Sequence, residues 1–191
     1  MALRKASAYS KMKVVPFTRI SKQKGKAYIK TVPPQSIVKF TMGSERLYKE
    51  GKFPHELTVV AAQMAQIRHN ALEACRQYIN KRLDTDLAGQ YLFKVIPFPH
   101  HIQRENKMLT GAGSDRMQTG MQLSFGKPVG KAALVKDGTR VFFFAVPNVK
   151  AVATVRDILS KIRPKLPCKI RVLYTAKKDA NKAPEVPVVS Q

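Results

Sequence analysis

The residue types that could do chemistry gather in one stretch, HHIQRENKMLTGAGSDRMQTGMQLSFGKP, from His100 to Pro128. Within it, Gly111-Ala112-Gly113-Ser114-Asp115-Arg116 has the composition of a phosphate-cradling loop, because glycines let backbone N–H groups approach an anion. It lacks the Lys-Ser/Thr ending of a P-loop, and its glycines do not form GxGxxG. Ser114, His100 and Asp115 are the members a hydrolytic triad needs, but nothing in the spacing brings them together. No enzyme is expected. His100 and His101 are adjacent, and neighbours on a strand point to opposite faces, so they do not share a metal. Structural or RNA-facing histidines are the better reading. Cys75 and Cys168 lie far apart without CxxC spacing, which predicts two small reduced core residues rather than a disulfide or a metal site. No cofactor is called for.

The basic residues of the stretch are Arg104, Lys107 and Arg116, followed by Lys127 and Lys131; only Glu105 and Asp115 oppose them. Arginine can grip phosphate with two donors or stack on a base, whereas lysine is a compact point charge. Between Ile102 and Ser124 there is no Phe, Tyr or Trp. A single-strand stacking platform is therefore disfavoured, and recognition of folded RNA by shape and phosphate is expected. The whole chain points the same way. Its 191 residues carry 35 Lys and Arg against 12 Asp and Glu, a formal net charge of +23. Such an imbalance is an argument about partners, and a polyanion is the natural one. Nucleic acid leads. An anionic membrane comes second, since no apolar run approaches the roughly 18 residues that span a bilayer.

Residues 1–44 contain ten Lys or Arg and no acid. Arg4, Lys5, Lys11, Lys13, Arg19, Lys22, Lys24, Lys26 and Lys30 make the first part of this run a candidate RNA-binding arm, as blocks of like charge commonly are. The N-terminus also lacks the apolar core of a secretory signal.

These residues need a mount, and the rest of the chain can build one. At 44% hydrophobic it can bury a core. Ile37, Val38 and Phe40 form a short strand-like run. From Leu57 to Tyr78 the apolar positions 57, 60, 64, 67, 71, 74 or 75 and 78 trace a helical stripe, which predicts an amphipathic helix with Met64 and Tyr78 in the core. Tyr91–Ile96 reads as a strand. Lys131–Lys136 and Thr139–Val146 flank Asp137-Gly138, a strong β-hairpin signal. Phe142, Phe143 and Phe144 should supply much of the aromatic core. Asn148 is placed to cap a second helix bearing Val152, Val155, Leu159 and Ile162, stopped by Pro164. Cys168, Ile170, Val172 and Tyr174 alternate as in a half-buried strand. The expected fold is α+β: two helices on a mainly antiparallel sheet, a long protruding loop and a basic arm. The division would be 1–31 for the arm, 32–175 for the domain with its loop at 102–119, and 176–191 for a disordered tail.

PHHIQRENKMLTGAGSDRMQTGM followed by FGKPVGKAALV closely resembles the signature region of a universal large-subunit ribosomal protein family, called L-sixteen in bacteria and L-ten-e in archaea and eukaryotes. VPPQSIVKFTMG, IRHNALEACRQYINK and LPCKIRV extend the resemblance over about residues 32 to 174, in the archaeal manner. The resemblance implies a structural constituent of the large subunit, seated in rRNA near the peptidyl transferase region and helping to position tRNA. It carries over Arg104, Asn106, Lys107, Gly111, Gly113, Asp115, Arg116, Gly120, Gly126, Lys127 and Pro128 as RNA-proximal, tRNA-proximal or loop-shaping residues, none of them catalytic. Met108, Leu109 and Gln118 complete the tRNA-proximal stretch. The implied partners are large-subunit rRNA and tRNA, with 5S rRNA and neighbouring ribosomal proteins beside them. No membrane and no homo-oligomer is implied, and the implied location is the cytoplasmic ribosome. The chain departs from the family at Gln122-Leu123-Ser124, where basic residues are usual, and at Ser114, where alanine is commoner. An RNA-binding regulator or assembly chaperone of the same fold is the competing reading; sedimentation with or without the large subunit separates the two.

Overall fold

A computed structural model describes residues 31–105 and 126–176. The arm up to residue 30, the segment 106–125 and the tail from 177 lie outside the described residues. In chain order the elements are β1 (Thr41–Gly43), α1 (Glu45–Lys49), β2 (His55–Ala61), β3 (Ala65–Arg68), α2 (His69–Leu87), β4 (Leu92–Val95), β5 (His101–Glu105), β6 (Lys127–Val135), β7 (Arg140–Val146), α3 (Val149–Ile162), a 3₁₀ turn (Arg163–Lys165) and β8 (Ile170–Ala176). The strands form two antiparallel sheets, one five-stranded in the order β1-β4-β7-β2-β8 and one three-stranded in the order β3-β6-β5. The α+β class expected from the pattern stands, with two sheets rather than one.

Strand β7 is the centre of the larger sheet, and its alternation builds two cores. Phe142 and Phe144 are fully buried with Phe93, whose ring stacks on Phe144 at 4.8 Å between centroids. On that face lie α2, through Leu72, Cys75, Ile79 and Leu83, and α3, through Val152, Val155, Leu159 and Ile162. Phe143 points the other way, into a smaller cluster with Phe53, Leu92 and Ala145 that Leu47 and Tyr48 cover. Only two of the three consecutive phenylalanines reach the main core, as the two-residue period of a strand requires. Short as it is, α1 has a proper start: the Ser44 Oγ accepts from the Leu47 N–H at 3.3 Å. Just before it, Gly43 has φ +83°, and a Cβ there would overlap the Tyr91 carbonyl oxygen.

Two expectations are corrected. The helix predicted from Leu57 begins at His69, and the residues before it form β2 and β3. Leu57, Val59 and Ala61 face the main core, Glu56 and Thr58 are half-buried on the other side, and Val60 is buried next to an irregularity in the pairing with β7. The run Val59-Val60-Ala61 blurs the two-residue period there, and the helical stripe fitted the apolar positions by coincidence. Met64, expected in the core, lies between β2 and β3 and is 59% exposed. Tyr78 is half-buried against the core, under the Lys165 ammonium, which sits 4.9 Å from its ring centroid. The second correction concerns Asp137-Gly138. The turn exists, with Gly138 at φ +76°, but β6 and β7 do not pair. The Gly138 N–H donates to the Ala61 carbonyl, and the Ala61 N–H donates to the Thr139 carbonyl, both at 2.9 Å. The end of β2 thus captures the turn, and the chain crosses from one sheet to the other.

Other expectations hold. Asn148 occupies the N-cap of α3, although its side chain makes no capping bond. Pro164 lies in the 3₁₀ turn that ends α3. Cys75 and Cys168 are free and buried, and burial pushes the Cys75 thiol up to about 12.

Candidate nucleic-acid interface

The three-stranded sheet positions those candidate residues that can be described. Its strand register divides its residues between two faces. Ala65 and Ile67 of β3 share a face with Ala133 and Val135 of β6, and all four belong to the main core. Gln66 and Arg68 lie on the opposite face, across from Leu134 and Ala132, and His101 of β5 joins them there. The pairing of β5 with β6 then shifts between Gln103 and Arg104: Gln103 sits opposite Gly130, but Arg104 sits opposite Pro128. Gly130 and Pro128 are two apart on β6, so the extra residue is Val129 on β6, and both Gln103 and Arg104 beside it are buried. A bulge of this kind bends the strand that carries the extra residue.

The result is a sheet with an apolar face on the core and a polar face of buried residues. Gln66, His101, Gln103 and Arg104 are the buried polar and charged residues of the described chain, each no more than 6% exposed. Burying such groups is costly unless they are hydrogen-bonded, so a sheet that gathers them is specialised. The Gln103 side-chain N–H donates to the Gln66 amide oxygen at 3.2 Å. Burial lowers the pKa of His101, with a smaller push from His100. His100 is exposed, and its Nδ1 lies 3.0 Å from the Phe98 carbonyl oxygen. The two histidines have separate environments, as strand geometry predicts.

Next to these residues, directly after Arg68, His69 locks the start of α2. The Ser36 N–H donates to its Nδ1 at 3.0 Å, which requires the unprotonated nitrogen. The Ser36 hydroxyl donates to the Asn70 amide oxygen at 2.9 Å. Burial lowers the His69 pKa first, and the nearby Arg68 and Lys131 charges lower it further. A Cβ on Gly130 would come within 3.0 Å of the His69 Nε2, so β6 passes close beneath the ring.

Of the candidate basic residues, Arg104, Lys127 and Lys131 are brought together on the paired strands β5 and β6. Lys127 is exposed and stands opposite Glu105; Lys131 is half-buried and stands opposite Ile102. The boundary expected at Ile102 falls inside β5. The pairing instead runs to Glu105 and resumes at Lys127, so both ends of the intervening segment are held side by side. Asn106, Lys107, Met108, Leu109, Gly111, Gly113, Asp115, Arg116, Gln118 and Gly120 lie outside the described residues, as do the nine basic residues of the arm.

Sequence reasoning missed Gln66, Arg68, His69 and Gln103. The available signal was Gln66-Ile67-Arg68, a polar–apolar–polar alternation that the helical stripe absorbed. Among the described residues no group of three or more His, Cys, Asp or Glu could hold a metal. No helix among them is long and apolar enough to cross a membrane.

The family described as ribosomal protein L16p/L10e matches residues 13–173. Among curated relatives, the large ribosomal subunit protein uL16 of Staphylothermus marinus is 39% identical over 175 residues, covering 91% of this chain and 94% of the relative. The protein of the same name from Thermofilum pendens is 40% identical over 174 residues, covering 91% of this chain and 97% of its own. That of Nanoarchaeum equitans is 37% identical over 171 residues, covering 88% of this chain and 91% of the relative. With a basic, polar-faced sheet and agreement over nearly its whole length, the chain belongs to the L16p/L10e family: it is a ribosomal protein of the large subunit, a structural component of the cytoplasmic ribosome and not an enzyme.

Proposed function

We propose that this chain binds large-subunit rRNA near the peptidyl transferase region and helps to position tRNA there, through the segment that β5 and β6 hold. The observation that carries the reading is the strand pairing up to Glu105 and Lys127. It holds the two ends of the intervening segment, which carries glycines, Lys107 and Arg116, side by side on a buried sheet. Arg104, Lys127 and Lys131 at the root neutralise phosphates, and the arm from Arg4 to Lys30 supplies further cations. A net charge of +23 supports a polyanionic partner over a neutral one. The partners in this reading are rRNA and tRNA, with 5S rRNA and adjoining ribosomal proteins as neighbours, and the chain acts as a single copy.

The test has two parts. Each phosphate contact contributes about 0.9 to the slope of log affinity against log salt on duplex, so binding of the free protein to an rRNA fragment should weaken steeply with salt. A flat salt response contradicts the reading. Replacing Leu109–Gln118 with a short Gly-Ser linker should leave the domain folded and incorporated, yet impair tRNA placement in reconstituted subunits. Unchanged translation would remove the assigned role of the segment.

A further inference from the structure

The C-terminal third carries a second basic run. Between Asp157 and Asp179 there is no acid and there are seven Lys or Arg. Part of this run borders a furrow between α3 and β8, on the helix side of the five-stranded sheet. At one end, Arg163, Lys169 and Gln63 line a groove of about 460 Å³, with Leu166 and Ile170 in its wall. At the other end, Tyr174 is 42% exposed and its ring lies 6.0 Å from that of His55, tilted only 22° from it. The Tyr174 hydroxyl and the His55 Nδ1 are 2.8 Å apart, which fixes the two rings as one surface. The Arg156 guanidinium stands 5.9 Å from the Tyr174 ring centroid.

The two ends belong to one track. Arg156 on α3 and Arg163 at its C-cap are seven residues apart, on the same stripe, with a rise of about 10 Å between them. Ile170 and Tyr174 are four apart on β8, on one face, separated by about 13 Å. Helix stripe and strand therefore run alongside each other for the same distance, with cations along it and an aromatic pair at its end. Acids are turned away or occupied. Asp157 is paired with Lys161 at 2.7 Å, and Glu56 accepts from the Tyr48 hydroxyl at 2.8 Å, on the opposite face of the sheet.

We propose that this furrow binds unpaired RNA, with phosphates on Arg156, Arg163 and Lys169 and one base stacked on the Tyr174–His55 pair. Cations that track a backbone beside an aromatic surface are the usual means of holding single strands, whereas an acidic peptide would need the charges but not the rings. The proposal rests on the RNA-binding reading above and adds a second site, of a different kind, remote in the fold from the β5–β6 root.

The test measures binding of the full chain to a short fluorescein-labelled oligouridylate, to polyglutamate and to an rRNA fragment. Tyr174→Leu should weaken oligouridylate binding roughly 5-fold or more, the low end of losing one stacked base, and leave polyglutamate binding unchanged. Tyr174→Phe, which keeps the ring, should retain most of the affinity and serves as the folded control. Arg156→Gln with Arg163→Gln should lower the salt slope on single strands by about 1.4, or 0.7 for each phosphate. Equal losses on oligouridylate and polyglutamate would overturn the stacked base in favour of an acidic-peptide site. Parental affinity for oligouridylate in all three variants would overturn the furrow altogether, while steep salt dependence on the rRNA fragment would leave the first site standing.

Discussion

The two sheets use the same backbone pattern for opposite ends. In the five-stranded sheet, both sides of β7 are apolar, and the buried residues are phenylalanines, valines and leucines under α2, α3 and α1. In the three-stranded sheet one side is apolar, the other carries Gln66, His101 and Gln103 in buried positions, and Arg104 is buried beside them. Burying apolar surface stabilises a fold, whereas burying polar groups costs free energy that hydrogen bonds only roughly offset. The larger sheet therefore provides the stability, and the smaller one uses part of it to hold charged and polar side chains in fixed directions. The contrast shows why a basic ribosomal protein needs a core at all: polar and charged side chains need a rigid mount.

The contrast can be broken by mutation. The largest effect should come from Phe144→Ala, which removes a fully buried ring stacked on Phe93. A loss of about 3–5 kcal/mol in urea unfolding is expected, with the salt slope for RNA unchanged among molecules that remain folded. A smaller loss would mean that the five-stranded sheet is not the main source of stability. Gln103→Leu, which removes the buried hydrogen bond to Gln66, should cost only about 1 kcal/mol, and adding Gln66→Leu should recover most of it. If the double variant is instead as damaged as Phe144→Ala, the polar face is a second core and the division of labour is wrong.

The smallest effect is a pH dependence confined to the three-stranded side. His69 and His101 both titrate below their ordinary value of 6.5 in the folded protein, held neutral chiefly by burial. Just below pH 6.5 the unfolded chain therefore binds more protons than the folded one, so stability rises with pH through this window. The contribution is complete above 6.5 and is lost as pH falls toward the folded values. Chemical denaturation between pH 7 and about pH 5 should show this decline, and His69→Gln should flatten it. The lowered carboxylates Glu45, Glu50 and Glu73 titrate below 4.5 and do not enter that range. A decline of the same size in His69→Gln would show that the Ser36–His69 contact does not sense protonation.

Much of this was legible from local pattern. α3 with its cap position and the alternation into β8 follow from apolar period and punctuation, because each of these elements exposes one face, and β4 follows from its apolar run ending at Pro97. The signature residues around the 106–125 segment also identified the family. What failed did so for a physical reason. In β2 the two-residue period of Leu57 and Val59 is blurred at Val60, where the pairing with β7 shifts, and positions 57, 60, 64 and 67 fell by chance on a helical stripe. The Asp137-Gly138 turn was correctly located, but a turn specifies only its own dihedrals. Which strand receives its hydrogen bonds depends on Ala61, more than seventy residues earlier in the chain.

The amino-acid order alone determined the charge, hence the class of partner, and the local elements whose two sides differ in polarity. The tertiary structure decided how those elements share hydrogen bonds: two sheets instead of one, a shifted pairing that leaves Val129 as an extra residue beside Gln103 and Arg104, and a ring pair made from His55 and Tyr174. These are contacts between residues far apart in the chain. Their energy depends on distance in space, which no local pattern records.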